Sequence, residues 1–282
     1  MEAAAELAPR IVSEIVLWDD EKRLDFVNRL TKTYTTAKEA GYFAFPFAGD
    51  QPKFELEIPD GVVRPNTDQF KGACKDWYTV QHWVGVTADD CAVAWAPVDS
   101  PLVCLQDINR GKWQEDLPLT NGHVFAYAFN NYWFTNYKAG QGGELTFRFS
   151  LTSAKELSRT QVTRFGWEAA NPVLAQESAS QSGAGTGTAD AASFLTVEPD
   201  NVMVLTVKQA EDGDGLIVRL FENSGKACTA RLTLPAVPFR PQFRRAEECS
   251  LVEEPKQRLR LSGGAVEVPL KGFGLATVRL RG

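Results

Sequence analysis

Only two histidines, His82 and His123, stand in the 282-residue chain. They lie forty-one positions apart, on different predicted strands, and no HxxxH, HExxH or CxxC pattern accompanies them. Catalytic zinc needs three protein ligands at workable spacing, so these residues predict no metal site and no metal cofactor held by this chain. His82, beside Trp83, reads as a packed or partner-facing residue. No GxSxG elbow marks a serine nucleophile. Asp99, Asp107, Glu115 and Asp116 fall near predicted strand ends, where the paired carboxylates of a glycosidase sit. Aspartate at a strand end is also an ordinary turn former, and spacing along the chain sets no two of them at a working separation. Glu211-Asp212-Gly213-Asp214-Gly215 lacks the flanking helices of a calcium loop and reads as a hairpin turn.

Aromatic residues are the denser signal. Trp77, Tyr78, Trp83, Trp95, Trp113, Tyr127, Tyr132, Trp133 and Tyr137 fall within 61 residues. The stretch NNYWFTNYKAGQGG (130–143) sets asparagines among large aromatics with almost no aliphatic residue between them. Sugars present apolar C–H faces and many hydroxyls, and are held by aromatic platforms with planar amide, carboxylate or guanidinium partners. The same pattern fits a tryptophan-rich core with asparagines in a bulge, and the residue types leave both readings open.

The elements that must position these residues are strands. IVSEIVLW (11–18), RLDFVNRL (23–30) and YFAFPF (42–47) alternate with period 2, and Asp19-Asp20 turns the first pair. FELEI (54–58) runs into a Pro59-Asp60-Gly61 turn. TVQHWVGV (79–86) and CAVAWAPV (91–98) read as a hairpin around Asp89-Asp90. PLVCLQ (101–106), HVFAYAFNNYW (123–133) and ELTFRFSLT (144–152) follow. One helix is expected near 153–165, capped by Ser153 with Glu156 at capping-box spacing. Residues 176–193 are rich in Gly, Ser, Ala and Thr. Seven short strands after them form a smaller sandwich. The chain therefore reads as all-β and antiparallel: a large β domain over 1–167, a flexible linker or loop over 168–193, and a small β-sandwich over 194–282.

Net charge is −6, and the basic residues are scattered along the sequence, which predicts no nucleic-acid partner and no membrane partner. No apolar run reaches the ~20 residues of a span. MEAAAELAPR has no signal-peptide pattern and opens directly into strand-like sequence, as a fragment would. Five cysteines without CxxC read as reduced structural thiols, and a cytoplasmic protein is predicted.

Several motifs are similar, in order, to the C-terminal β region of glycoside hydrolase family 38, the α-mannosidases. They are KEAGYFAFPFAG (38–49), TVQHWVGV (79–86), AWAPVDSPLV (94–103), NNYWFTNYKAGQGGELTFRFSLTS (130–153) and LTVKQAEDGDGLIVRLFENSG (205–225). The resemblance implies a galactose-mutarotase-like β-supersandwich followed by the smaller sandwich. It implies a parent that is a retaining, zinc-dependent α-mannosidase. The zinc ligands and the aspartate nucleophile belong to an N-terminal barrel that has no counterpart here, so no catalytic residue is expected in this chain. That barrel and a mannose-containing glycan are the implied partners. Asp107-Ile108-Asn109-Arg110-Gly111 matches a D-x-x-R-G loop whose arginine reaches substrate in the Golgi class, which makes Arg110 and Asp107 candidate substrate-binding residues. Asn130, Asn131, Trp133 and Asn136 are candidates for the cleft wall or the interface. On this reading the chain is a scaffold and cleft wall for carbohydrate binding. The alternative is a stand-alone carbohydrate-binding module.

Overall fold

The computed structural model describes every residue except 7, 110, 112, 132–137, 176–192 and 235–242. The chain divides into two compact units, Met1–Val173 and Leu174–Gly282. The first contains β1 (Glu2–Ala5), β2 (Ala8–Leu17), β3 (Leu24–Thr35), β4 (Ala40–Phe47), β5 (Lys53–Ile58), β6 (Gly61–Val63) and β7 (Tyr78–Thr79). It continues with β8 (Val84–Ala88), β9 (Cys91–Pro97), β10 (Leu102–Leu105), β11 (Gly122–Asn130), β12 (Gln141–Ala154) and the helix α1 (Arg159–Ala170). An eight-stranded sheet, β1-β2-β3-β12-β9-β8-β5-β6, faces a four-stranded sheet, β4-β11-β10-β7. Every pairing is antiparallel.

Period-2 alternation decides what lies between the sheets. Leu30, Phe54, Leu56, Val84, Val86, Trp95, Phe147 and Phe149 come from the large sheet, and Phe45, Val103, Leu105, Val124 and Ala126 from the small one. Phe43, Phe45 and Phe47 of β4 all turn to this core. Tyr42 stands in the opposite phase, on the outer face. The expected strand 79–86 divides: Tyr78 and Thr79 pair with β10 in the small sheet, whereas Val84–Ala88 pair with β5 and β9 in the large one. The chain crosses between sheets at 80–83, and the buried Val80 and Trp83 anchor the crossing.

The helix begins later than the sequence suggests. Ser153 lies inside β12, opposite Val93. Ser158 is the N-cap and Gln161 completes the capping box. S-x-x-Q serves as well as S-x-x-E, and pairing of β12 with β9 through Ala154 removes the earlier cap. The helix runs through residue 167, where composition shifts, to Ala170. It packs Val162 against Trp83 and Ala94 on the outer face of the large sheet. The second unit is a smaller sandwich. Its strands are β13 (Thr196–Glu198), β14 (Val202–Gln209), β15 (Leu216–Glu222), β16 (Cys228–Thr233), β17 (Arg245–Cys249), β18 (Pro255–Leu259), β19 (Leu261–Ser262), β20 (Ala265–Leu270) and β21 (Leu275–Arg281). Sheets β13-β16-β20-β19 and β14-β15-β21-β17-β18 enclose a core that includes Val218, Leu220, Leu232, Val266, Val278 and Leu280. The expected linker at 168–193 falls mostly outside the described residues.

Candidate functional site

The outer face of the small sheet carries a three-ring stack. Tyr127 of β11 and Tyr42 of β4 are register partners, and their rings lie 4.5 Å apart at 12°. Trp77, immediately before β7, lies stacked near Tyr127 at 6.3 Å and 21°. The stack lines a cleft of about 840 Å³ whose rim includes Lys38, Glu39, Asp107, Asn109 and Gly111. All three rings are half-buried, and half-buried aromatic rings can receive the apolar face of a ligand.

The cleft's polar groups are fixed by neighbours. The Asn109 side-chain amide donates to the Asp76 carboxylate. Asp107 is exposed, and its Oδ1 accepts from the Ile108 N–H at 2.7 Å. Glu39 meets the buried Lys32 ammonium at 2.5 Å. Burial, then the Tyr127 hydroxyl, pushes the Tyr42 phenol above its ordinary range, so it stays a neutral donor and acceptor. The Trp77 indole N–H lies near the Tyr42 hydroxyl but outside hydrogen-bond geometry. Cys104, beneath this face on β10, is fully buried, and burial pushes its thiol up to about 12. It is an inert thiol.

The predicted site residues separate. Asp107 lines the cleft. Arg110, Trp133 and Asn136 lie outside the described residues; Asn109 and Gly111, on either side of position 110, both line the cleft. Asn130 ends β11 opposite Ala40. Asn131 follows the strand and is 3% exposed. Its amide donates to the carbonyls of Ala37 at 2.7 Å and Thr35 at 3.2 Å and to the Glu39 carboxylate at 3.3 Å. That side chain holds the 35–39 loop, one rim of the cleft, from beneath. Tyr42 escaped sequence reasoning although its signal was present, a tyrosine in the outward phase of a phenylalanine alternation. Among the other aromatics, Trp83 and Trp95 are core and Trp113 is exposed.

The strand-end carboxylates are used structurally. Arg148 grips Asp99 with two guanidinium nitrogens at 2.8 Å and holds its carboxyl below the usual range. Asp116 meets the buried Lys75 ammonium at 2.7 Å. His82 Nδ1 sits 3.1 Å from Glu57 Oε2, the other Glu57 oxygen accepts from Trp167 Nε1 at 2.8 Å, and the His82 and Trp167 rings touch at 4.1 Å. This network joins the helix to β5 and leaves His82 a packed residue. Among the described residues no three or more His, Cys, Asp or Glu side chains converge as a metal would require. With His82 engaged by Glu57 and the His123 ring edge-on to Phe125, the described residues do not fit zinc.

Comparisons with known proteins agree with this architecture. Residues 201–278 match the family model described as "Glycosyl hydrolases family 38 C-terminal beta sandwich domain". The fold is similar to that of an α-mannosidase from Enterococcus faecalis V583, at TM-score 0.70 and 19% identity over 96% of this chain and 28% of that one. It is similar to that of a second glycosyl hydrolase family 38 protein from Enterococcus faecalis, at TM-score 0.69 and 18% identity over 96% and 29%. The chain thus spans less than a third of the length of the solved structures it matches. No sequence among curated proteins matches it. The resemblance carried by the sequence motifs is borne out: the chain is a β-sandwich region similar to the C-terminal part of family 38 α-mannosidases. No described helix is long and apolar enough to cross a membrane.

Proposed function

We propose that this chain is the C-terminal β region of a retaining α-mannosidase, acting as scaffold and cleft wall for a mannose-containing glycan. The observation that carries the reading is the match along 96% of this chain to 28% of an α-mannosidase, joined by the family match at 201–278. In this reading a preceding barrel supplies the carboxylate nucleophile and holds the zinc. Zinc, when bound there, would orient sugar hydroxyls and stabilise developing charge. The residues of this chain bind and exclude water. The Tyr42–Tyr127–Trp77 stack presents a rigid apolar wall, and Asp107 and Asn109 offer hydrogen bonds along its rim.

A second reading, a stand-alone carbohydrate-binding module, is favoured by that same stack, because it is already assembled within the chain. Calorimetric titration of the chain with a mannose oligosaccharide separates the two. The scaffold reading expects no saturable binding by the chain alone. Saturable binding that disappears in Trp77→Ala would move the assignment to the module.

A further inference from the structure

We propose that Arg244, Arg245, Arg258 and Arg260 form a binding site for a tetrahedral oxyanion, the phosphate or sulfate group of an anionic ligand. The four line one concavity of about 390 Å³ at the β17–β18 end of the second unit, over Ala246, Leu259 and Leu261. All four are exposed. Ala246 pairs with Leu259, which brings the arginines flanking that pair to the same end of the ladder.

Among the described residues no carboxylate neutralises them. Glu247 is the register partner of Arg258, but its carboxylate turns instead to Arg281 Nη1 at 2.6 Å. Glu248 takes the Gln257 amide at 2.6 Å. Arg23, Arg148, Arg159, Arg279 and Arg281 all meet carboxylates. None of the four guanidinium groups at this site makes an ion pair or hydrogen bond with a described residue. Crowded like charges repel across a ladder. In a protein of net charge −6, such a concentration is a local positive field that attracts and holds an anion. The planar guanidinium fork matches phosphate and sulfate oxygens two at a time. The apolar floor of Leu259 and Leu261 offers nothing to a cation.

The test is NMR titration of the 282-residue chain with inorganic phosphate and, separately, inorganic sulfate, at constant ionic strength set with chloride. The arginine Nε–H resonances are the readout. Saturable shifts with at least one anion are expected, and the anion that saturates identifies the phosphate or the sulfate ester as the ligand group. Arg258→Ala/Arg260→Ala should weaken that binding tenfold or more. Arg258→Lys/Arg260→Lys keeps the charge but loses the fork, and should weaken it at least threefold. The lysine pair carries the comparison if the alanine pair fails to fold. Non-saturating shifts with both anions, or undiminished binding in the folded variants, would overturn the assignment.

Discussion

Tyr42 and Tyr127 face one another across the β4–β11 ladder with ring centroids 4.5 Å apart and planes 12° from parallel. The pair exists because β4 turns Phe43, Phe45 and Phe47 inward and sends Tyr42 outward, opposite the one outward tyrosine of β11. Trp77 adds a third ring, 6.3 Å from Tyr127. The tyrosine pair is thus set by strand register.

Such a pair contributes about 0.5–1.5 kcal/mol beyond the area it buries. A double-mutant cycle of Tyr42→Ala and Tyr127→Ala, read by urea unfolding, should return a coupling of about 1 kcal/mol. Strict additivity would show that the rings touch without stabilising each other.

Gly166 tests the seat of the helix. A Cβ there would meet Trp83 Cβ at 2.8 Å and the His82 carbonyl at 3.0 Å. Within a helix Gly→Ala gains about 1 kcal/mol, whereas overpacking costs about 1–3 kcal/mol. Trp83 is buried and the other neighbour is backbone, so the clash should win. Gly166→Ala is expected to lower stability by about 1–2 kcal/mol in chemical denaturation; a stabilised variant would show that the helix lifts freely from the sheet.

Glu222 predicts a pH dependence. Its buried carboxylate accepts from Asn201 Nδ2 at 2.6 Å, from the N–H groups of Ser224, Gly225, Lys226 and Phe273, and from the Ser224 hydroxyl. Burial alone would raise its pKa. The Ser224 hydroxyl, the Asn201 amide and the main-chain donors outweigh burial and hold the group below its ordinary 4.5. A carboxyl depressed in the folded state stabilises above its unfolded pKa, and that contribution fades as pH falls through the folded value. Glu222→Gln should therefore cost about 1.5–3 kcal/mol at neutral pH, the range for hydrogen bonds to a charged group, and the gap to the parent should narrow below pH 4.5. A gap constant from neutral to acid pH would contradict the assignment.

The strands around β2–β5 and β8–β12 were legible because alternation and acidic turns act locally: Asp60 and Asp89 adopt the positive φ of 55° and 46° that their turns require. β18 was not legible. PKQRL is an edge strand exposed at four of its five positions, so no alternation marks it. The helix start was displaced because Ser153 and Ser158 both carry a capping spacing, and only the long-range pairing of β12 with β9 decides between them. The site was half legible. Asp107 could be placed beside a loop motif, but Tyr42 and Trp77 lie thirty-five positions apart and meet through Tyr127 only once the small sheet forms. The arginine cluster was hidden for the same reason: scattered on paper, its members converge through the β17–β18 pairing.

The central claim is that this chain shapes a glycan site without performing the chemistry. It is tested most directly by assaying purified residues 1–282, with added zinc, for hydrolysis of an aryl α-mannoside. The account predicts no turnover above the uncatalysed rate. Zinc-dependent turnover by this chain alone would contradict it.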